Sequence, residues 1–216
     1  MTTPGDAGPT VAITPVKDLG AAKSRLADCL SSVDRAELVL RLLDRVLAVV
    51  RASTVVQYHV VVSPDPIVRA RAAAAGAVAI ADPAEGSGQN VALEHARSVT
   101  GRWRPGALLV LSGDLPLVTA SDLEEICCLG LAEGSVVLAP DRHGIGTNVL
   151  YLRPPDLLPF RFGVDSFQRH AGDAAARGLR TLVYRGPGTA YDLDRPDDLD
   201  LIQRVDSTFR VVDLQV

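Results

Sequence analysis

Short apolar runs alternate along this chain with longer stretches of helical spacing. Val11 to Thr14, His59 to Val62, Val78 to Ala81, Ala107 to Leu111, Val136 to Ala139, Asn148 to Leu152 and Thr181 to Tyr184 read as strands. Ala107 to Leu111 is apolar throughout, as suits a central parallel strand. Ala36 to Val50 has the clearest helical period. Val39, Leu42, Leu43, Val46, Val49 and Val50 share one side, and Glu37, Arg41, Asp44 and Arg45 lie on the other. Ser31 or Ser32 is its candidate cap. An Ala/Arg helix follows Ser63-Pro64-Asp65-Pro66 and runs to Ala75, where Gly76 stops it. Asn90 to Val99, Asp165 to Arg177 and Asp194 to Val205 predict further helices, and Ser121-Asp122-Leu123-Glu124 reads as a capping box opening another.

This β-α alternation predicts an α/β fold, a three-layer α/β/α domain around a mostly parallel central sheet. Residues 11–208 are the expected domain, residues 1–10 a flexible leader, and residues 209–216 a C-terminal tail that packs on a partner or frays. Ligands of such sheets bind beyond the carboxyl ends of the strands, so the loops there carry the functional question.

Composition narrows the classes. The 216 residues are 47% hydrophobic and 22% charged, which excludes a wholly disordered chain. No apolar run approaches the roughly 18 residues of a membrane span. A formal charge of −4 and a pI near 5.5 argue against non-specific nucleic-acid binding. Cys29, Cys127 and Cys128 are odd in number and lack metal-ligand spacing, which fits a reduced, cytoplasmic protein; either a monomer or a homodimer is expected. The cations comprise 20 arginines and 2 lysines, and both lysines, Lys17 and Lys23, fall in one loop.

Phosphate-loop, Gly-x-Gly-x-x-Gly, nucleophile-elbow and His-Glu-x-x-His signatures are absent. Five other features carry candidate chemistry. Thr14-Pro15-Val16-Lys17 through Lys23-Ser24-Arg25 follows the first strand with three cations, which could hold a triphosphate or merely be solvated. Leu111-Ser112-Gly113-Asp114-Leu115-Pro116 places Gly113 for a close ligand approach and Asp114 for a hard cation at a strand end. In Tyr191-Asp192-Leu193-Asp194-Arg195-Pro196, the two aspartates would share one side of an extended segment. Asp194 is expected to cap the last helix, which leaves Asp192 as the metal partner of Asp114. Phe160-Arg161-Phe162-Gly163-Val164-Asp165-Ser166 opens a helix, where Ser166 either helps hold an anion or, like Asp165, caps. Asp141 to Asn148, with Gly144, Gly146 and Thr147, could form the facing wall.

Together these segments resemble the 2-phospho-L-lactate and phosphoenolpyruvate guanylyltransferases of coenzyme F-420 biosynthesis. That family lies within the glycosyltransferase-A-like nucleotidyltransferases. The resemblance covers about residues 11 to 200, and Arg161-Phe162-Gly163-x-Asp165-Ser166 with His170 and the Gly-Thr loop is its most specific part. It implies that Asp114 and Asp192 hold Mg²⁺. It implies that Thr147, Gly163 and Ser166 hold a small phosphorylated carboxylic acid. Lys17, Lys23 and Arg25 would hold the phosphates of GTP, and Pro15, Val16, Pro83, Asn90 and Gly113 would complete the nucleotide site. The implied reaction joins GMP to the phosphate of the acid and releases pyrophosphate, with no nucleic-acid or membrane partner. A molybdopterin guanylyltransferase, a sugar-1-phosphate nucleotidyltransferase and a non-catalytic nucleotide-binding domain are the alternatives. The first two are weakened by the lack of a Gly-x-Gly-x-Arg loop.

Overall fold

The computed structural model describes residues 8–83 and 88–205. Seven strands form one sheet: β1 (Thr10–Pro15), β2 (Tyr58–Ser63), β3 (Val78–Ala81), β4 (Ala107–Leu111), β5 (Ser135–Pro140), β6 (Thr147–Arg153) and β7 (Arg180–Val183). Their order is β3-β2-β1-β4-β6-β5-β7, and all pairings are parallel except those of β6 with β4 and β5. Among the described residues seven α-helices accompany them: α1 (Ser32–Ala52), α2 (Pro66–Ala74), α3 (Gln89–Thr100), α4 (Ala120–Leu129), α5 (Ser166–Ala176), α6 (Pro187–Ala190) and α7 (Pro196–Val205). α3 and α5 pack on one face of the sheet through Ala92, Leu93, Ala96 and Ala174. α1, α2 and α4 cover the other through Val46, Val68 and Ile126. None of the described helices is long and apolar enough to cross a membrane.

The expected α/β/α layering holds, and the differences lie at element ends. α1 begins at Ser32 rather than Ala36, because its polar first turn adds no apolar period. Ser31 is the cap, accepting the Asp34 N–H while Asp34 accepts the Ser31 N–H in return. α4 opens two residues before the expected box. Thr119 is the N-cap and Asp122 its reciprocal partner. Both frames satisfy the pattern, but Glu124 is engaged by Thr54, and Asp122 also accepts the Tyr184 hydroxyl at 2.7 Å. The leader's expected end also shifts, since β1 already starts at Thr10 and Gly106 donates to the Pro9 carbonyl. Residues 1–7, the tail at 209–216 and Ala84 to Ser87 lie outside the described residues.

β1 connects outward through β2 to β3, whereas β4 lies on its other side, so the strand order reverses between β1 and β4. A crevice forms at such a reversal. The loops after β1 and β4 flank it.

Candidate active site

The β1 loop and the β4 loop are packed against each other. A Cβ on Gly113 would lie 3.3 Å from both Thr14 and Val16 side chains, so Gly113 gives close approach to the β1 loop. Leu193 N–H donates to the Asp114 carbonyl at 3.1 Å, which pins the segment before α7 beside the β4 loop. Leu193 is fully buried with Leu26, Leu38, Leu42 and Ile202. Burying it turns its two neighbours, Asp192 and Asp194, the other way, as extended backbone requires. Asp114, Asp192 and Asp194 consequently each present a carboxylate oxygen, all within 4.8 Å of one another.

Asp194 therefore does not cap α7. The cap is made in reverse by Asp198, whose carboxylate accepts the N–H groups of Asp194 and Arg195 at 2.8 and 2.7 Å and also pairs with Arg142. Asp194 is left free to meet Lys23, which sequence reasoning missed. The spacing that put Asp192 on the site side applied equally to it.

Lys23 sits among these acids. Its ammonium donates to Asp114 at 2.6 Å and to Asp194 at 2.8 Å, with only 8% of the side chain exposed. Burial by itself lowers a lysine pKa, but the two carboxylates outweigh it and hold Lys23 well above the ordinary value. Burial likewise pushes Asp114 upward, yet Lys23 and the Ser112 hydroxyl keep it below the usual carboxylate range. Asp192 has no such cation. Burial first, then the charge of Asp114, pushes it up to about 6, against the Asn148 amide at 3.3 Å. Arg25 reaches Asp194 at 3.3 Å and is largely exposed, and Lys17 is exposed.

Oxygen donors in this arrangement suit a hard divalent cation, which usually takes one or two protein carboxylates and fills its remaining positions with water and phosphate oxygens. The raised Asp192 carries a stability cost that can be measured. Its folded value of about 6 exceeds the ordinary 3.8, so the cost begins as pH rises between these values and is complete above the upper one. Asp192→Asn is expected to stabilise the metal-free protein at pH 7, on the order of 1–3 kcal/mol, and the gain should fade towards pH 4. Thermal unfolding in chelator at both pH values checks this; an equal or lower Tm for the variant at pH 7 would contradict it.

The second wall is built by β6. Because β6 runs antiparallel to β4, its first residues stand where β4 ends, and Ser112 N–H donates to the Asn148 carbonyl. The pairing with β5 skips Asn148: Ala139 faces Val149 but Pro140 faces Thr147. In strict alternation Asn148 would join Leu150 and Leu152 on the α5 side. The extra residue interrupts that alternation. Thr147 now meets His170 of α5 at 3.0 Å, and Asn148 donates to Asp192 and to the Thr189 carbonyl. The preceding loop is tied by Asp141, which accepts the N–H groups of His143, Ile145 and Gly146. A Cβ on Gly146 would sit 2.8 Å from that carboxylate.

Neither Asp165 nor Ser166 caps α5 as the sequence reading allowed. Asp165 precedes the helix with φ 55° and no capping hydrogen bond. The Ser166 hydroxyl oxygen instead accepts the Thr147 N–H at 2.8 Å, joining the Arg161–Ser166 strap to β6. Gly163 stands in the strap at φ +117°, a conformation that penalises any Cβ. Asn90 has both ends of its carboxamide on Phe162: its oxygen accepts the Phe162 N–H at 2.8 Å and its nitrogen donates to the Phe162 carbonyl at 3.0 Å. It links α3 to the strap rather than presenting a free amide. Pro15 and Val16 line the β1 loop, and Pro83 ends the described part of the β3 loop.

The fold is that of solved nucleotidyltransferases. A putative nucleotide-diphospho-sugar transferase from Desulfovibrio desulfuricans superposes with a TM-score of 0.75 at 17% identity, covering 93% of this chain and 90% of its own. A nucleotidyl transferase from Methanothermobacter does so with 0.66 at 15% identity, covering 91% and 97%. The profile of the family described as "Guanylyl transferase CofC like" matches residues 10–206, and the chain belongs to that family. It is thus an enzyme, a guanylyltransferase of the nucleotidyltransferase class. The phosphoenolpyruvate guanylyltransferase of Sphaerobacter thermophilus is 43% identical over 191 residues, 88% of this chain and 91% of that protein. The one from Rubrobacter xylanophilus is 43% identical over 188 residues, 87% of this chain and 90% of its own.

Proposed function

We propose that this enzyme transfers the guanylyl group of GTP to the phosphate of phosphoenolpyruvate, in the cytoplasm, within coenzyme F-420 biosynthesis. The observation that carries the reading is the edge of β6: one residue, Asn148, touches the carboxylate cluster, and its neighbour Thr147 is hydrogen-bonded to the Ser166 hydroxyl. That adjacency supports a reading in which two anionic substrates bind side by side. The names of the relatives support the acid and the nucleotide.

The acceptor phosphate oxygen attacks the α-phosphorus of GTP. A new P–O bond forms there while the bond to the β-phosphate breaks, and pyrophosphate leaves. That oxygen is ionised at neutral pH, so no general base is required. Thr147, Gly163 and Ser166 hold the acid, and Lys17, Lys23 and Arg25 balance charge building on the leaving pyrophosphate. Pro15, Val16, Pro83 and Gly113 shape the nucleotide side, and Asn90 acts there only through the Phe162 backbone that it holds. Asp114 and Asp192, joined by Asp194, are the residues that would hold Mg²⁺, which when bound neutralises and orients phosphates. Lys23 must then exchange its carboxylates for phosphate oxygens.

Pyrophosphate release from GTP and Mg²⁺ tests the reading, with phosphoenolpyruvate, 2-phospho-L-lactate and 3-phosphoglycerate assayed in parallel. Turnover with phosphoenolpyruvate is expected. Preference for either other acid would overturn the acceptor, and silence with all three beside measurable GTP binding would overturn the reading. Ser166→Ala should raise the KM for the acid about tenfold, the scale of one hydrogen bond to a charged group, with the KM for GTP unchanged. An unaltered acid KM would remove Ser166 from the acid site.

A further inference from the structure

We infer that His170 is a positioning residue, which aims the Thr147 hydroxyl proton into the acid pocket by holding that hydroxyl's oxygen. The inference rests on the acid-pocket reading above. His170 lies one turn after Ser166 in α5 and is fully buried. Its Nε2 lies 3.0 Å from the backbone nitrogen of Arg161. A backbone N–H can only donate, so Nε2 is the acceptor and carries no proton. A neutral ring keeps its one proton on Nδ1, which faces Thr147 Oγ1 at 3.0 Å. Thr147 must accept there, and its own proton is turned away from the ring.

Ser166 repeats the device. Its oxygen accepts the Thr147 N–H, leaving its proton to be donated elsewhere. Two hydroxyls whose oxygens are held by protein donors make a pair of donors for an anion. Burial pushes His170 down to about 4, in keeping with a neutral ring at neutral pH. His170 also spans the pocket. It holds Thr147 of β6 and the Arg161 backbone of the strap, and it packs edge-on against Phe162 at 5.0 Å. A histidine that merely fills the core would require neither a defined tautomer nor contact with both walls.

Three replacements separate the two links. His170→Phe keeps the ring and removes both. His170→Asn places an amide donor near the Nδ1 position, and His170→Gln places an amide near Nε2. The acid KM is expected to rise about tenfold in His170→Phe, to recover most of that loss in His170→Asn, and to stay high in His170→Gln, with the KM for GTP unchanged in all three. Thr147→Val should match His170→Phe, and combining the two should add little further. Equal behaviour of the Asn and Gln variants, or full additivity with Thr147→Val, would overturn the inference in favour of a core role.

Nitrogen NMR of the imidazole in the wild-type enzyme gives a readout apart from turnover, and it stands if His170→Phe does not fold. A bare Nε2 and a protonated Nδ1 are expected; the opposite tautomer overturns the inference alone. Failure of the wild type to bind any of the three acids by calorimetry would overturn the pocket reading, and this inference with it, whichever tautomer is seen.

Discussion

Asp114→Asn will fold and will lose about a thousandfold in turnover, equivalent to roughly 4 kcal/mol of transition-state stabilisation. The fold should survive because little of the local structure depends on the charge. Asparagine retains an oxygen for the Ser112 hydroxyl, the backbone carbonyl still accepts the Leu193 N–H, and Lys23 keeps Asp194. Turnover should not survive, because Asp114 is the carboxylate at the crevice between β1 and β4, where it meets both Lys23 and the other two acids. The measurement is steady-state pyrophosphate release beside a thermal unfolding curve. A variant with wild-type kcat would remove Asp114 from the reaction, whereas one that fails to fold would show that the carboxylate is structural.

Lys23→Met will be the most destabilising single change at this site in metal-free protein, on the order of 3 kcal/mol at neutral pH. Lys23 is nearly buried, and its removal leaves Asp114, Asp192 and Asp194 facing one another with only the largely exposed Arg25 at Asp194. The penalty belongs to the uncompensated charges more than to the lost pair. Two further results are expected from that cause. Lowering the pH below about 6 should return part of the stability, since Asp192 then takes up a proton. Millimolar Mg²⁺ should also return part of it, by about 2.7 kcal/mol at a hundredfold excess over Kd. Thermal unfolding in chelator and in Mg²⁺ checks both. A variant as stable as wild type in chelator would show that the three acids do not confront one another.

Much of this was legible in the chain. The strand at Ala107–Leu111 is apolar at every position and is buried at every position, because a strand covered on both faces has no reason to alternate. The Gly-Asp step after it fell at the strand's carboxyl end as its position demanded. The two-residue period of extended chain put Asp192 and Asp194 on one side, and Asp192 was paired with Asp114 because Asp194 was assigned to the helix cap. An Asp before Arg-Pro is a good cap; which reading won depended on Asp198 being able to reach back. The capping box of α4 moved by two residues for a similar reason. Two frames were locally equivalent, and contacts from Thr54 and Tyr184 chose between them. Asn90 was expected in the nucleotide site and is paired with the Phe162 backbone, a partner 72 residues away in the chain.

The sequence by itself determined the layered α/β architecture and which loops would carry the site. Burial of apolar surface imposes periods of two and 3.6 residues that are written locally. The tertiary structure decided which polar side chains meet. Strand order brought β6 antiparallel alongside β4, one extra residue opposite Pro140 sent Thr147 to His170 and Asn148 to Asp192, and a single backbone hydrogen bond from Leu193 set Asp194 beside Lys23. Polar partners are selected by direction and distance between segments remote in the chain, and no local period encodes either.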